Sequence, residues 1–144
     1  MELDVRVART DDELLAAFEV RRIVFIDEQG VPDSVERDDR DATADHVVAY
    51  LDGAAVGVGR LVVDADVARV GRIAVLAPAR RQGIGAAVLA QLEAVAADRG
   101  AAAVELHAQL HALAFYGRLG YAAYRDIDIH GIMHKTMRKQ LAAD

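Results

Sequence analysis

The run Arg80-Arg81-Gln82-Gly83-Ile84-Gly85 has the residue types and the spacing to hold an anion. It follows an apolar stretch that reads as a strand and opens one with helical periodicity. Glycines let a backbone approach an oxygen closely, and the first N–H groups of a helix have no partner within it. The helix dipole adds roughly half a positive charge at that end. Arg80 and Arg81 contribute two cationic groups, so a diphosphate is the natural ligand. Other phosphate motifs fit badly. A P-loop requires Gly-Lys-Ser/Thr, and a dinucleotide fingerprint requires a small residue where Val88 stands. A glycine turn that merely starts a helix is the bland alternative, and the two arginines argue against it.

Groups that could accept or donate a proton lie elsewhere in the chain. Glu28, Glu36, Asp38, His46 and His107 are candidate bases. Each histidine reads more readily as a structural residue, and Glu28 can instead pair with Arg21 or Arg22. The pairs His107/His111 and His130/His134 have a spacing that can share a metal on a helix, but they straddle predicted strand and turn. No metal is expected. With no cysteine, disulfides, thiolate catalysis and Cys-based zinc sites are excluded, which fits a cytoplasmic protein.

The elements that must position these groups are legible in part. Leu3–Ala8 alternates as a half-buried strand does. Thr10 and Glu13 form a T-x-x-E capping box, with Leu14, Leu15, Phe18, Arg22 and Phe25 following at helical spacing, so a helix is predicted from Asp11 to about Phe25. Gly30 and Pro32 then open a long acidic loop. Strands are predicted over His46–Leu51, Ala54–Val63 and Val67–Val75, the first two joined by the hairpin signal Asp52-Gly53, giving an antiparallel meander. A helix over Gly83–Arg99 buries Ile84, Val88, Leu92 and Val95 and stops at Gly100. Strands over Ala103–Ala108, Tyr121–Ile129 and Ile132–Met137 follow, with a short helix over His111–Leu119. The order is mixed α/β (α+β) in a single domain over 1–144, with the sheet partly parallel around the Gly83–Arg99 crossover.

Composition sets the outer bounds. The 144 residues are 53% hydrophobic and 28% charged, enough for one buried core and against disorder. No apolar run reaches the roughly 18–20 residues that span a membrane. Met1–Thr10 carries Glu2 and Asp4 and lacks the apolar stretch of a signal peptide. The net charge of −6 disfavours nucleic acid as a partner. Asp27, Glu28, Asp33, Glu36, Asp38, Asp39, Asp41 and Asp45, opposed only by Arg37 and Arg40, account for that whole net charge. The segment reads either as a solvated loop or as a funnel for a cationic substrate.

Taken together, these residues resemble the GNAT family of N-acetyltransferases. Arg80-x-x-Gly83-x-Gly85 after a strand is similar to its pyrophosphate motif, and Ala112-Leu113-Ala114-Phe115-Tyr116-Gly117-Arg118-Leu119-Gly120-Tyr121 to its A-x-x-F-Y-x-x-x-G-Y/F segment. Arg22, Val24-Phe25, Glu28-Gln29, Val31-Pro32, Glu36, Asp38, Asp41, His46 and the ending Gly131-Ile132-Met133-His134 resemble the ElaA-like branch.

The resemblance implies a six- to seven-stranded, mostly antiparallel sheet flanked by about four helices, with a splayed parallel strand pair that holds acetyl-coenzyme A. Backbone groups of Ile73, Ala74 and Val75 would pair with the pantetheine arm. The loop of Arg80, Arg81, Gln82, Gly83, Ile84, Gly85 and Ala86 would hold the diphosphate, and Gln109 would face the cofactor where many members have asparagine. Ile73 or Ala74 N–H would serve the oxyanion, and Tyr116 would protonate the leaving thiolate. Independently of the resemblance, Glu28 and His46 are the expected proton acceptors, with a water-relayed path as the alternative to a strong base, and charge placement makes Glu28, Glu36 and Asp38 the expected contacts to a small, cationic amine acceptor. A direct ternary mechanism follows from the family. The alternative is a non-catalytic acyl-coenzyme A sensor or assembly module on the same fold. Edge strands, the C-terminal one included, suit a homodimer.

Overall fold

A computed structural model describes residues 2–141. Seven strands form one sheet in the order β1-β2-β3-β4-β5-β7-β6. In chain order these are β1 (Leu3–Val7), β2 (Asp45–Leu51), β3 (Ala54–Asp64), β4 (Val67–Val75), β5 (Ala103–Gln109), β6 (Ala122–Ile129) and β7 (Ile132–Gln140). Four α-helices accompany them: α1 (Asp11–Arg21), the single turn α2 (Asp33–Glu36), α3 (Ile84–Asp98) and α4 (Leu113–Arg118). All pairings are antiparallel except β4 with β5.

Local chemistry explains most of these elements. The Thr10/Glu13 capping box closes as expected and starts α1. Asp52 and Gly53 both take positive φ and turn β2 into β3, a conformation that a two-residue hairpin demands. On α3, Ile84, Val88, Leu89, Leu92 and Ala96 are buried against one sheet face, with Gly83 and Gly100 at its two ends in left-handed conformation. Ala17, Val20 and Val24 cover the opposite face over β2, β3 and β4, with Val48, Val58 and Ala74 beneath them.

The structure departs from the sequence reading in three places. The first helix does not stop at Phe25; it widens into a π-helical stretch over Arg22–Glu28. The wider turn brings both Val24 and Phe25 onto the core. The buried face of α1 is Ala17, Val20 and Arg21, whereas Leu15 is 64% exposed. Finally, the C-terminal strand is not an edge. β7 inserts between β5 and β6, so β1 and β6 are the sheet edges and β7 has no free edge.

Two glycines of β3 set how closely α3 can lie on the sheet. A Cβ on Gly59 would come within 2.7 Å of Leu92 Cδ1 and 3.0 Å of Val88 Cγ1, and one on Gly57 within 2.9 Å of Ile84 Cγ2. Gly59→Ala is therefore expected to destabilise the fold by about 1–3 kcal/mol through overpacking. A melting temperature within error of the wild type would show that α3 can move outward freely.

Candidate active site

Everything at the site follows from a break between β4 and β5. The two strands pair only from Val67–Ala103 to Arg69–Glu105. Beyond Arg69 they part, and the gap between them has no ladder. A bulge in β4 starts the divergence. Val58 and Arg60 of β3 face Ala74 and Gly71 of β4, two steps against three, and the extra residue lies around Arg72, with φ +57°. Leu76 N–H bonds back to Val56 O on β3. By strand alternation the backbone groups of Val75 and Ile73 point the other way, into the gap.

At the mouth of the gap sits the glycine loop. Arg81 (φ +66°) and Gly83 (φ +78°) are left-handed, and α3 has no side-chain cap at its N-terminus. Among the described residues, no backbone bond is made by the N–H groups of Arg81, Gln82 and Gly83. Ile84, Gly85 and Ala86 begin the helix, where N–H groups lack intrahelical partners. Six consecutive donors thus cluster at the positive end of a 15-residue helix. Ile84 is buried, while Arg81, Gln82 and Gly83 are exposed. The ring of Phe115 lies 3.5 Å from where a Gly85 Cβ would be, so the α4 segment comes directly over this loop. These features fit the diphosphate and pantetheine of coenzyme A.

Tyr116 lies on α4, edge-to-face with Phe115 (5.0 Å) and Tyr121 (6.1 Å). Burial pushes its phenol up to about 12, so it stays protonated at neutral pH. Among the described residues nothing hydrogen-bonds its Oη, which leaves that proton available. Tyr121 is instead committed, donating to Glu93 at 2.7 Å.

Residues 9–121 match the family described as "Acetyltransferase (GNAT) family". The chain belongs to the GNAT acetyltransferases. It is 36% identical over 135 residues to the uncharacterized N-acetyltransferase YjcF of Bacillus subtilis, covering 92% of this chain and 96% of that protein. An acyl-CoA N-acyltransferase from Pseudomonas aeruginosa superposes with a TM-score of 0.84 at 30% identity, over 96% of this chain and 99% of that one. ElaA of Escherichia coli shares the fold with a TM-score of 0.83 at 20% identity, over 96% of this chain and 99% of that one. So does an N-acetyltransferase of Thermoplasma acidophilum solved in complex with coenzyme A, at 16% identity and a TM-score of 0.74, over 98% and 100% of the two chains. No helix among the described residues is long and apolar enough to cross a membrane. Nor do they hold a group of three or more His, Asp or Glu side chains able to take a metal.

Not all the expected residues of this GNAT chain lie free at the gap. Arg80 is engaged within the protein. Its Nε donates to Val75 O at 2.8 Å, and its two terminal nitrogens grip Glu28 at 2.7 and 2.6 Å. That pair holds the Glu28 carboxyl below the usual carboxylate range, so it is ionised but already partnered. Arg81, exposed and outside every ion pair among the described residues, is the loop's free cation. Gln109 ends β5, its Oε1 accepting from His111 Nε2 at 2.8 Å.

His46 is 5% exposed, on β2, with the whole of β3 between it and β4. Its Nε2 donates to Asp41 O at 2.9 Å and its ring meets Phe18 edge-on. Both contacts are within the protein and tie β2 to α1 and to the turn before it.

The acidic segment does not form the expected open funnel. Six of its eight carboxylates, those of Asp27, Glu28, Glu36, Asp38, Asp41 and Asp45, are paired with arginines from outside the segment. Glu36, 2% exposed, accepts from Arg21 at 2.9 Å and lies 3.2 Å from Arg72. Asp38 receives two bonds from Arg60, which hold its carboxyl low despite partial burial. Carboxylates so bound are already matched by arginines within the protein. They tie α2 to the sheet instead, since Arg72 also donates to Glu36 O (3.0 Å) and Val35 O (3.2 Å). The bulge of β4 and the loop over it are thereby one unit.

Proposed function

We propose that this GNAT chain transfers an acetyl group from acetyl-coenzyme A to the primary amine of a small acceptor, by direct attack in a ternary complex. The observation that carries this reading is the ladder-free gap between β4 and β5, with six N–H donors and Arg81 at its mouth. The pantetheine arm would add to Ile73–Val75 as a strand adds to a sheet edge. Ile73 N–H, turned into the gap at the bulge, would stabilise the oxyanion. Tyr116 would supply the proton for the departing sulfur. Glu36 and Asp38 are both paired with arginines, so this reading places no requirement of positive charge on the acceptor.

The test is calorimetry of acetyl-coenzyme A against the folded protein, with ATP and NAD as controls. Selective binding is expected. It should stabilise the fold by about 2.7 kcal/mol at a hundred times the dissociation constant. Equal competition by ATP or NAD, or no binding, would overturn the assignment. Gly85→Asp places a carboxylate among the helical N–H groups without meeting a neighbour closer than 3.5 Å at Cβ. It is expected to abolish coenzyme A binding while leaving the melting temperature near the wild type. Tight binding by this variant would move the diphosphate elsewhere.

A further inference from the structure

We propose that His107 is the general base that receives the proton of the acceptor amine. This rests on the acetyl-transfer reading above. A lysine-like amine with a pKa near 10.4 is neutral in only about 4 of 10,000 molecules at pH 7, so deprotonation has to be assisted. Glu28 is paired with Arg80 and His46 is buried on β2 with its Nε2 bonded to Asp41 O, so both are engaged within the protein.

His107 stands where the reaction needs it. It is two residues beyond Glu105, the last residue of β5 that pairs with β4, so it occupies the fork of the gap. A small cavity of about 30 Å3 lined by Arg69, Val70, Glu105, Leu106 and His107 opens there. Strand alternation settles which side the imidazole takes. Leu106 and Ala108 belong to the core that contains α3, Leu113 and Tyr116. His107 projects from the opposite face, where its Nδ1 lies 3.2 Å from Thr136 Oγ1 of β7. Base and acid therefore lie on opposite faces of the sheet, so that one would serve the attacking nitrogen and the other the leaving sulfur.

The ring is held and yet reachable. Thr136 is fully buried, whereas His107 is exposed. With Nδ1–H donating to Thr136 Oγ1, Nε2 keeps its lone pair and faces outward. Burial of part of the ring, then His134, Arg125 and Arg69, lower the imidazole pKa, and Glu105 opposes them weakly. Arg138 also borders this face through its bond to Glu105. The balance leaves His107 neutral at pH 7, the form that accepts a proton. In the step, the ammonium loses one proton to Nε2, which passes it to water. The nitrogen attacks the thioester carbon, the C–S bond breaks, and the sulfur takes a proton from Tyr116 Oη. The second proton of the nitrogen restores the phenol by way of solvent.

Two measurements test this. The first follows the histidine ring protons by NMR with and without coenzyme A. His107 is expected to titrate below the ordinary histidine value and to shift when coenzyme A fills the gap. The second is thiol release from acetyl-coenzyme A, with 2-phenylethylamine and hydroxylamine as acceptors, for wild type, His107→Gln, Thr136→Val and Thr136→Ser. His107→Gln should lower kcat for 2-phenylethylamine by about 100-fold or more. It should also remove the limb set by the imidazole, leaving a rate that climbs with the neutral fraction of the amine, and leave the KM for acetyl-coenzyme A unchanged. Turnover of hydroxylamine, neutral at this pH and needing no base, should persist. Thr136→Val should weaken the same limb, and Thr136→Ser should restore it. An unchanged kcat and pH profile in His107→Gln, or a His107 resonance indifferent to saturating coenzyme A, would overturn the assignment. Failure of coenzyme A to bind the wild type would instead overturn the acetyl-transfer reading itself.

Discussion

Tyr116→Phe is expected to lower kcat by about 10²–10⁴-fold while leaving coenzyme A affinity and the melting temperature essentially unchanged. The change removes one hydroxyl and keeps the ring, so the edge-to-face contacts with Phe115 and Tyr121 survive. What is lost is the proton donor. Burial holds the phenol at about 12, so it remains protonated over the whole working range. A thiol has an ordinary pKa near 8.5. Below that value the departing sulfur needs a proton, and above it the thiolate leaves unaided. The defect should therefore be largest at low pH and shrink as pH rises past about 8.5. Equal loss at every pH would point to misplacement of the donor rather than a missing acid. Normal turnover would remove Tyr116 from the chemistry altogether.

The second large effect is on stability. Arg21 is 1% exposed and binds Glu36 Oε2 (2.9 Å), Glu36 O (2.9 Å) and both oxygens of Asp41 (2.7 and 3.1 Å). Arg21→Met keeps the volume and leaves two buried carboxylates short of a partner. Breaking a buried pair in this way costs about 3–5 kcal/mol. The double variant Arg21→Met/Glu36→Leu should recover part of the loss, because an apolar partner no longer needs the charge.

The pH dependence has a definite sign. Burial raises the Asp41 carboxyl, but hydrogen bonds from Arg21 and Arg60 outweigh it and hold the group well below the usual carboxylate range. A lowered folded value stabilises the protein above the unfolded pKa of about 3.9 and is lost as pH falls through the folded one. The wild type should lose stability steeply below pH ~4, and Arg21→Met should show a shallower acid slope. A difference of less than about 1 kcal/mol between the two at pH 7 would mean that Arg60 and Arg72 suffice for both carboxylates.

The glycine loop, α3 with its two glycine ends, the Asp52-Gly53 hairpin and the segment around Tyr116 were legible from residues alone. In each the deciding physics is local. A positive φ, a run of free N–H groups or a helical apolar stripe is written within a few neighbouring residues. The acidic segment was not legible, because its partners Arg21, Arg60, Arg72, Arg80 and Arg99 arrive from other elements, up to 54 residues away. Composition counts those charges but cannot say that they meet. The buried face of α1 was misread for the same reason. Its deepest side chain is an arginine whose burial depends on two carboxylates beyond the helix.

Strand order and register were likewise decided only in three dimensions. Nothing in Ile132–Gln140 announces that β7 will insert beside β5, yet that placement puts Thr136 under His107. The extra residue at Arg72 is invisible as periodicity, because a bulge exists only relative to the strand it faces. The sequence by itself therefore determined the glycine loop, the segment around Tyr116 and the family to which the chain belongs. The tertiary structure alone decided which titratable groups are spent on holding the loop and which remain free at the gap, because ion pairing and register depend on residues distant in the chain.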